Sequence, residues 1–159
     1  MPVQTPFQAS RQVVLPEWID YNGHLNVSYY VVVFDRATDN FFDFIGLTAD
    51  YRAAHNVSSF TAEMHVNYLR EVKQGDEVYI TTRLLDYDAK RFHYFHQMYH
   101  AGQNYLAATS EQLCLFMDMT QRRVTQMPPA FLNRLAEIKQ SHATLPTPAQ
   151  VGSVMKVKR

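Results

Sequence analysis

The sequence predicts an α+β domain in which one long, enclosed helix is wrapped by an antiparallel sheet. Three observations carry this reading. Val27, Tyr30, Val31, Phe34, Ala37, Phe41, Phe44 and Ile45 recur at the steps of one helical face. Four later stretches alternate apolar and polar residues between turn signals. The chain has 159 residues, which suits one core better than two.

Phe7 to Leu15 reads as a short alternating strand, and Glu17 to Asn26 as a turn-rich loop feeding the helix. Asn26 suits the N-cap and Gly46 the C-terminal cap. Val31, Val32 and Val33 favour a strand locally, but nearly five unbroken turns of periodicity decide for helix. Tyr29, Val33 and Phe42 extend the apolar surface to other sides, as in an enclosed helix. Asp35, Asp39 and Asp43 form an i+4 ladder that reads as a solvated stripe with Arg36 rather than a metal site. After residues 49–56 come four strands, Val57 to Leu69, Asp76 to Asp86, Phe92 to His100 and Tyr105 to Met117, separated by KQGD, DYDAKR and HAGQN. Pro128 and Pro129 open a short helix with Phe131, Leu132, Leu135 and Ile138 inward. The expected organisation is one domain over residues 1–140 and a loosely held tail over 141–159. Such a sheet leaves open edges, so self-association into a dimer or tetramer is expected.

Fifteen Lys and Arg balance fifteen Asp and Glu, so the chain lacks the basic field that a nucleic acid needs. No apolar run approaches the length of a membrane span, and the first residues lack a secretory signal pattern, so a cytoplasmic protein is expected. Cys114, the single cysteine, reads as a small buried hydrophobe within LCLFM. His93, His96 and His100 would share a helical face and could hold a metal there, but RFHYFHQMYH reads as a strand, which sends His93 and His96 to opposite sides. No nucleophile elbow or glycine-rich phosphate loop is present, and no metal or cofactor is expected.

The segment from Asp20 to Asn26, DYNGHLN, is the most suggestive for chemistry. It places a carboxylate six residues before the helix cap. The first amides of a helix are unpaired and carry the positive end of its dipole, so they suit a developing oxyanion while Asp20 attacks or activates water. From spacing alone, the plainer reading is that Asp20 caps a turn and Gly23 only lets the chain bend into the helix.

The stretch WIDYNGHLNVSYY, residues 18–30, followed by Phe34 and Ala37, resembles the signature of hotdog-fold acyl-CoA thioesterases of the 4-hydroxybenzoyl-CoA thioesterase-like superfamily. The resemblance runs from Phe7 to Gln140 and is most specific over Pro16 to Gly46. PEWIDYNGHLN, EMHVNYLRE and LLDYDAKRFH look more particularly like the branch that hydrolyses betainyl-CoA in carnitine and betaine breakdown. It implies a hotdog fold and acyl-CoA hydrolysis, with Asp20 as nucleophile or general base and the Val27 amide on the thioester carbonyl. His24 and Asn26 would hold the loop. Tyr21 and Asn22 replace the Pro-Ala of the aromatic-acyl branch, which puts the acyl pocket in doubt. A mid-helix carboxylate variant would use Asp39 or Asp43, both weaker candidates than Asp20.

Trp18, Asn22, Tyr30, Glu63 and Tyr68 are the expected substrate-binding residues. On alternation Thr61, Glu63, His65 and Asn67 share one strand face, and Phe60, Ala62, Met64, Val66 and Tyr68 the other. The plainer reading of the Glu63 face is a solvated surface; in the sharper one Glu63 lies near the active-site seam and, with Trp18 or tyrosines, meets a trimethylammonium head, which has no hydrogen to donate and is held by aromatic faces and a carboxylate. Arg70 or Lys73 at a strand end, or Lys90 and Arg91 at a hairpin tip, could meet CoA phosphates. Two other readings stay open: enoyl-thioester hydration on the same fold, and a non-catalytic pocket for an acyl-CoA or quaternary ammonium compound.

Overall fold

Asn26 and Gly46 bound the long helix as their chemistry requires. Helix α1 runs Val27–Ile45 in the computed structural model, which describes residues 2–158. The Asn26 side chain accepts the Ser28 N–H, and Gly46 turns the chain out at a left-handed φ of 95°. Tyr30, Val33, Phe34, Ala37, Thr38, Phe41, Phe42 and Ile45 are buried. That spacing is helical, so burial of this face outweighs the strand preference of the valine run. Asp35, Asp39 and Asp43 stay exposed, as their ladder predicts. Val27 departs from the expected buried face and is 57% exposed, because the first helical residue lies at the open end of the core.

The sheet contains β1 (Phe7–Gln8), β2 (Gln12–Val13), β3 (Val57–Tyr68), β4 (Glu77–Tyr87), β5 (Arg91–His100), β6 (Leu106–Asp118) and β7 (Arg123–Val124). Its spatial order is β1-β4-β5-β6-β3, with β2 beside β4 and β7 beside β6. Every pairing is antiparallel. The four long strands match the expected ones to within a residue at each end. The expected first strand is divided: between β1 and β2 the chain turns to α1, where the Ser10 N–H donates to Asn40 Oδ1 at 2.9 Å. Pro16–Trp18 then form a 3-10 turn. A second helix, α2 (Ala49–His55), occupies the stretch that periodicity left unassigned. Thr48 starts it by accepting the Tyr51 N–H at 3.1 Å. Seven residues are too few for a periodic signal.

Alternation fails at one point in β3. A bulge between Thr61 and Glu63 leaves Ala62 unpaired and shifts the register against β6. Thr61 therefore lies opposite Cys114 on the helix side, its hydroxyl 3.7 Å from Sγ, while Glu63 lies opposite Leu113 on the outer side. His65 follows Glu63 outward, opposite Glu111, and Tyr68 lies opposite Ala108. Cys114 is buried, as expected. His93 and His96 take opposite sides: His93 Nε2 lies 2.8 Å from the outer Glu111, and His96 is fully enclosed under α1.

His96 is held by the Thr38 hydroxyl at 2.9 Å and the Thr82 hydroxyl at 2.7 Å, with Phe34 stacked on its ring. Burial pushes its pKa down from 6.5 to about 3. The unfolded chain therefore binds a proton that the folded chain refuses between those values. Stability is full above pH 6.5 and falls as pH drops toward 3, by roughly 5 kcal/mol at the limit. Urea midpoints measured from pH 7 to pH 4 should decline, and His96→Gln should flatten that slope. An equally steep slope in the variant would assign acid sensitivity elsewhere.

Helix α3 (Pro129–His142) closes the far end, with Phe131, Leu135 and Ile138 buried against Phe41, Ile45 and Phe116. The tail is not loosely held through residue 153. His142 is fully buried; its Nδ1 accepts the Leu84 N–H at 2.9 Å and its Nε2–H donates to the Gln4 carbonyl at 2.7 Å. The Arg83 guanidinium donates to the carbonyls of His142, Leu145 and Pro146. Backbone carbonyls are gripped here, and they leave no mark in hydropathy. No helix among the described residues is long and apolar enough to cross a membrane.

Candidate active site

Residues 18–26 form a closed loop against the start of α1. Ile19 and Leu25 make an isolated antiparallel bridge, and the Asn26 N–H donates to the Trp18 carbonyl at 2.9 Å. Asp20-Tyr21-Asn22-Gly23 is a tight turn, closed by the Gly23 N–H on the Asp20 carbonyl at 3.0 Å. Gly23 has φ 78°, a conformation that a side chain would resist. The loop is anchored by Leu25, which is fully buried and donates its N–H to the Val72 carbonyl at 2.7 Å.

This geometry fixes the Asp20 carboxylate from two sides. Oδ1 accepts the Asn22 N–H at 2.8 Å, and Oδ2 accepts the Asn26 side-chain amide at 3.3 Å. Both oxygens keep a further lone pair for a proton or water. Asn26 works in two directions, since its Oδ1 takes the Ser28 N–H at 2.9 Å while its amide holds Asp20. The cap thereby ties the carboxylate to the helix end. His24 Nδ1 lies 3.0 Å from the Leu25 carbonyl; a carbonyl only accepts, so Nδ1 carries the proton and His24 braces the loop.

The Val27 N–H, one step beyond the cap, donates to no group among the described residues. It points out of the first turn with the dipole behind it. Tyr68 steadies that turn from β3 by donating its hydroxyl to the Val27 carbonyl at 3.2 Å. Tyr30 lies beneath, edge-on to Tyr68 at 5.1 Å, with its hydroxyl on the Arg70 carbonyl at 3.3 Å. Burial raises the Tyr30 pKa to about 12, so it stays a donor at any ordinary pH.

The structure thus brings Asp20, Asn22, His24, Asn26, Val27, Tyr30, Tyr68 and Arg70 to one end of the sheet. Within one chain, three other groups expected to face the ligand are enclosed, turned outward or set apart from this end. Trp18 is buried, with Tyr29 stacked on it and the Arg36 guanidinium over its ring at 5.0 Å, so its faces are already occupied. Glu63 stands with His65 on the outer face, opposite Leu113, whereas Tyr68 stands on the helix side. Lys90 and Arg91 sit at the other end of β6. The Phe116 N–H donates to the Lys90 carbonyl, whereas Ala107, nine residues earlier, accepts from Arg70; that span is about 30 Å along the strand. Arg91 is also paired with Asp88. Arg70, by contrast, lies over the Tyr105 ring at 3.8 Å, lining a 220 Å³ cleft with Lys73 and Gln103. Tyr105 is the neighbour that sequence reading missed; it stands just before β6, next to an irregularity that leaves Ala107 outside the β5 register.

The double role of Asn26 gives a separable prediction. Asn26→Ser keeps a side-chain oxygen for the cap and loses the amide on Asp20. Its melting temperature should stay within a few degrees of the parent, while kcat falls about tenfold, the effect of one hydrogen bond to a charged group. Equal loss of both would reduce Asn26 to a helix cap.

A long helix wrapped by an antiparallel sheet, with a carboxylate-bearing loop leading into its N-terminus, is the hotdog architecture of thioesterases. The chain belongs to the thioesterase-like superfamily, whose profile matches residues 14–135. It is 42% identical over 142 residues to the betainyl-CoA thioesterase of Pseudomonas aeruginosa, covering 89% of each chain. It is 36% identical to an L-carnitine dehydrogenase/betainyl-CoA thioesterase of a Rhizobium species, covering 89% of this chain and 28% of that one. A Staphylococcus aureus protein solved in complex with CoA superposes with a TM-score of 0.90 at 28% identity, covering 99% of both chains.

Proposed function

We propose that this protein hydrolyses betainyl-CoA to glycine betaine and CoA, using Asp20 and the Val27 amide. The observation that carries the reading is the Asp20 carboxylate, fixed by two hydrogen bonds beside an unpaired N–H of α1. The 42% identity to a betainyl-CoA thioesterase supports the substrate. Asp20 takes a proton from water as the water oxygen attacks the thioester carbon, or attacks that carbon itself to form an anhydride that water then opens. In either course the carbonyl oxygen becomes an anion facing the Val27 N–H. Collapse breaks the C–S bond, and the departing thiolate takes up a proton.

The trimethylammonium head has no N–H to donate, so its recognition falls to aromatic faces. Tyr68 is 44% exposed, and its hydroxyl is tied back to Val27; its ring is the aromatic surface closest in the chain of contacts to the oxyanion donor. Arg70 is the basic group at this end for a CoA phosphate. The neutral thioester 3,3-dimethylbutanoyl-CoA has the same shape as betainyl-CoA without the charge. Tyr68→Leu should raise KM for betainyl-CoA by about 2- to 30-fold, the range of one cation–π contact, and leave KM for the neutral thioester nearly unchanged. An equal rise for both would remove the ring from head-group recognition.

Self-association belongs to this reading. Among the described residues β3 pairs only with β6, so its other edge exposes the backbone groups of a 12-residue strand. A two-fold pairing of two such edges within one sheet is antiparallel. It would bring the Lys90–Arg91 corner of one copy toward the Asp20 end of the other, which supports a CoA site shared between copies.

A further inference from the structure

The chain after α3 crosses the outer face of the sheet in a single direction. It is held at β4 by Arg83, at β6 where Glu111 accepts the Gly152 N–H at 2.8 Å, and at β3 where the Ser153 hydroxyl lies 3.4 Å from both His65 and Asn67. β4, β5, β6 and β3 are consecutive in the sheet, so the next residues are carried past the β3 edge. There Val154, Met155 and Val157 are 77%, 90% and 83% exposed, and Lys156 and Lys158 make no ion pair among the described residues. Three large apolar side chains in five residues are bare on a segment whose preceding stretch is pinned.

The surface beyond that edge has a matching chemistry. On the outer side of β3, Glu63 has no hydrogen bond or ion pair among the described residues, and it opens onto a cleft of about 350 Å³ with His65, His93 and Glu111, roofed by Gly152 and Ser153. On the same side Phe60 is 37% exposed. A second copy paired along β3 presents this face level with the first, continuing the surface on which the tail already lies. Five extended residues reach about 16 Å, or about three strand spacings.

We infer that residues 154–158 form an arm that crosses onto the second copy, with Met155 and Val157 packed on its Phe60 and Lys156 and Lys158 alongside its Glu63. The two-fold relation makes the exchange reciprocal. The arm rests on the β3 pairing proposed above, and goes beyond it by assigning a partner surface to a segment that the hydrolytic chemistry does not use.

Two measurements on the full-length protein test it. Met155→Cys and Phe60→Cys chains, carrying different tags, are mixed and mildly oxidised; Cys114 is buried and does not compete. A mixed-tag disulfide dimer is expected, and a Met155→Cys/Phe60→Cys double variant that closes only within its own chain overturns the exchange. Sedimentation equilibrium of a chain ending at Ser153 should show a dimer Kd at least tenfold weaker than the full chain. An unchanged Kd with no mixed disulfide overturns the arm and leaves the pairing standing. Full-length protein that sediments as a monomer at every concentration overturns the pairing, and the arm with it.

Discussion

Val27→Pro should lower kcat for thioester hydrolysis by 10²- to 10³-fold while leaving the fold intact, the usual effect of removing one oxyanion donor. The substitution is selective because of where Val27 sits. The first helical position is the one place in a helix where proline is favoured, since the N–H lost there has no intrahelical acceptor. Proline also constrains the residue before it to extended backbone, and Asn26 is already there at φ −64° and ψ 143°. The side chain of Val27 is 57% exposed and contributes little burial. Val27→Ala is the control, with activity close to the parent. The pair is read by kcat together with helical circular dichroism. A proline variant with full helix content and undiminished kcat would take the oxyanion away from this amide.

Asp20→Asn should reduce kcat by about 10²- to 10⁴-fold, the range for a positioned acid or base. Asparagine retains the oxygen that accepts the Asn22 N–H, so the turn persists. It loses the charge, and it sets an amide against the amide of Asn26, whose orientation is fixed by the Ser28 N–H. Loss of stability should therefore be small beside the loss of rate, which thermal denaturation run in parallel will show. Single turnover in ¹⁸O water tests the nucleophilic role of Asp20: label in the Asp20 carboxyl marks an anhydride opened at the aspartyl carbon, whereas label confined to betaine fits either water activation or an anhydride opened at the betainyl carbon.

The parts of the fold that sequence made legible are those with a repeated signal. The α1 periodicity, the Asn26 and Gly46 caps and the four alternating strands all appear where their spacing places them. The loop at Asp20 was legible because turn chemistry, a cap and a carboxylate coincide in seven residues. What escaped has physical reasons. The Ala62 bulge is one extra residue in a strand whose alternation otherwise continues, so alternation groups Thr61 with Glu63, His65 and Asn67, whereas the register sets Thr61 opposite the buried Cys114 and leaves the other three outward. Trp18 carries no sign in sequence of being stacked on Tyr29 beneath Arg36. The tail looked free because its anchors are carbonyls gripped by Arg83 and amides gripped by Glu111. Arg70 and Tyr105 meet just before β6, next to a second irregularity of register that alternation does not reveal.

Free-thiol release from betainyl-CoA by the parent protein and Asp20→Asn, side by side with 3,3-dimethylbutanoyl-CoA, tests the central claim most directly. The account predicts turnover of betainyl-CoA with a kcat/KM above that of the neutral isostere, and loss of both activities in the variant. Stoichiometric binding of betainyl-CoA without thiol release, or release that survives in Asp20→Asn, would contradict it.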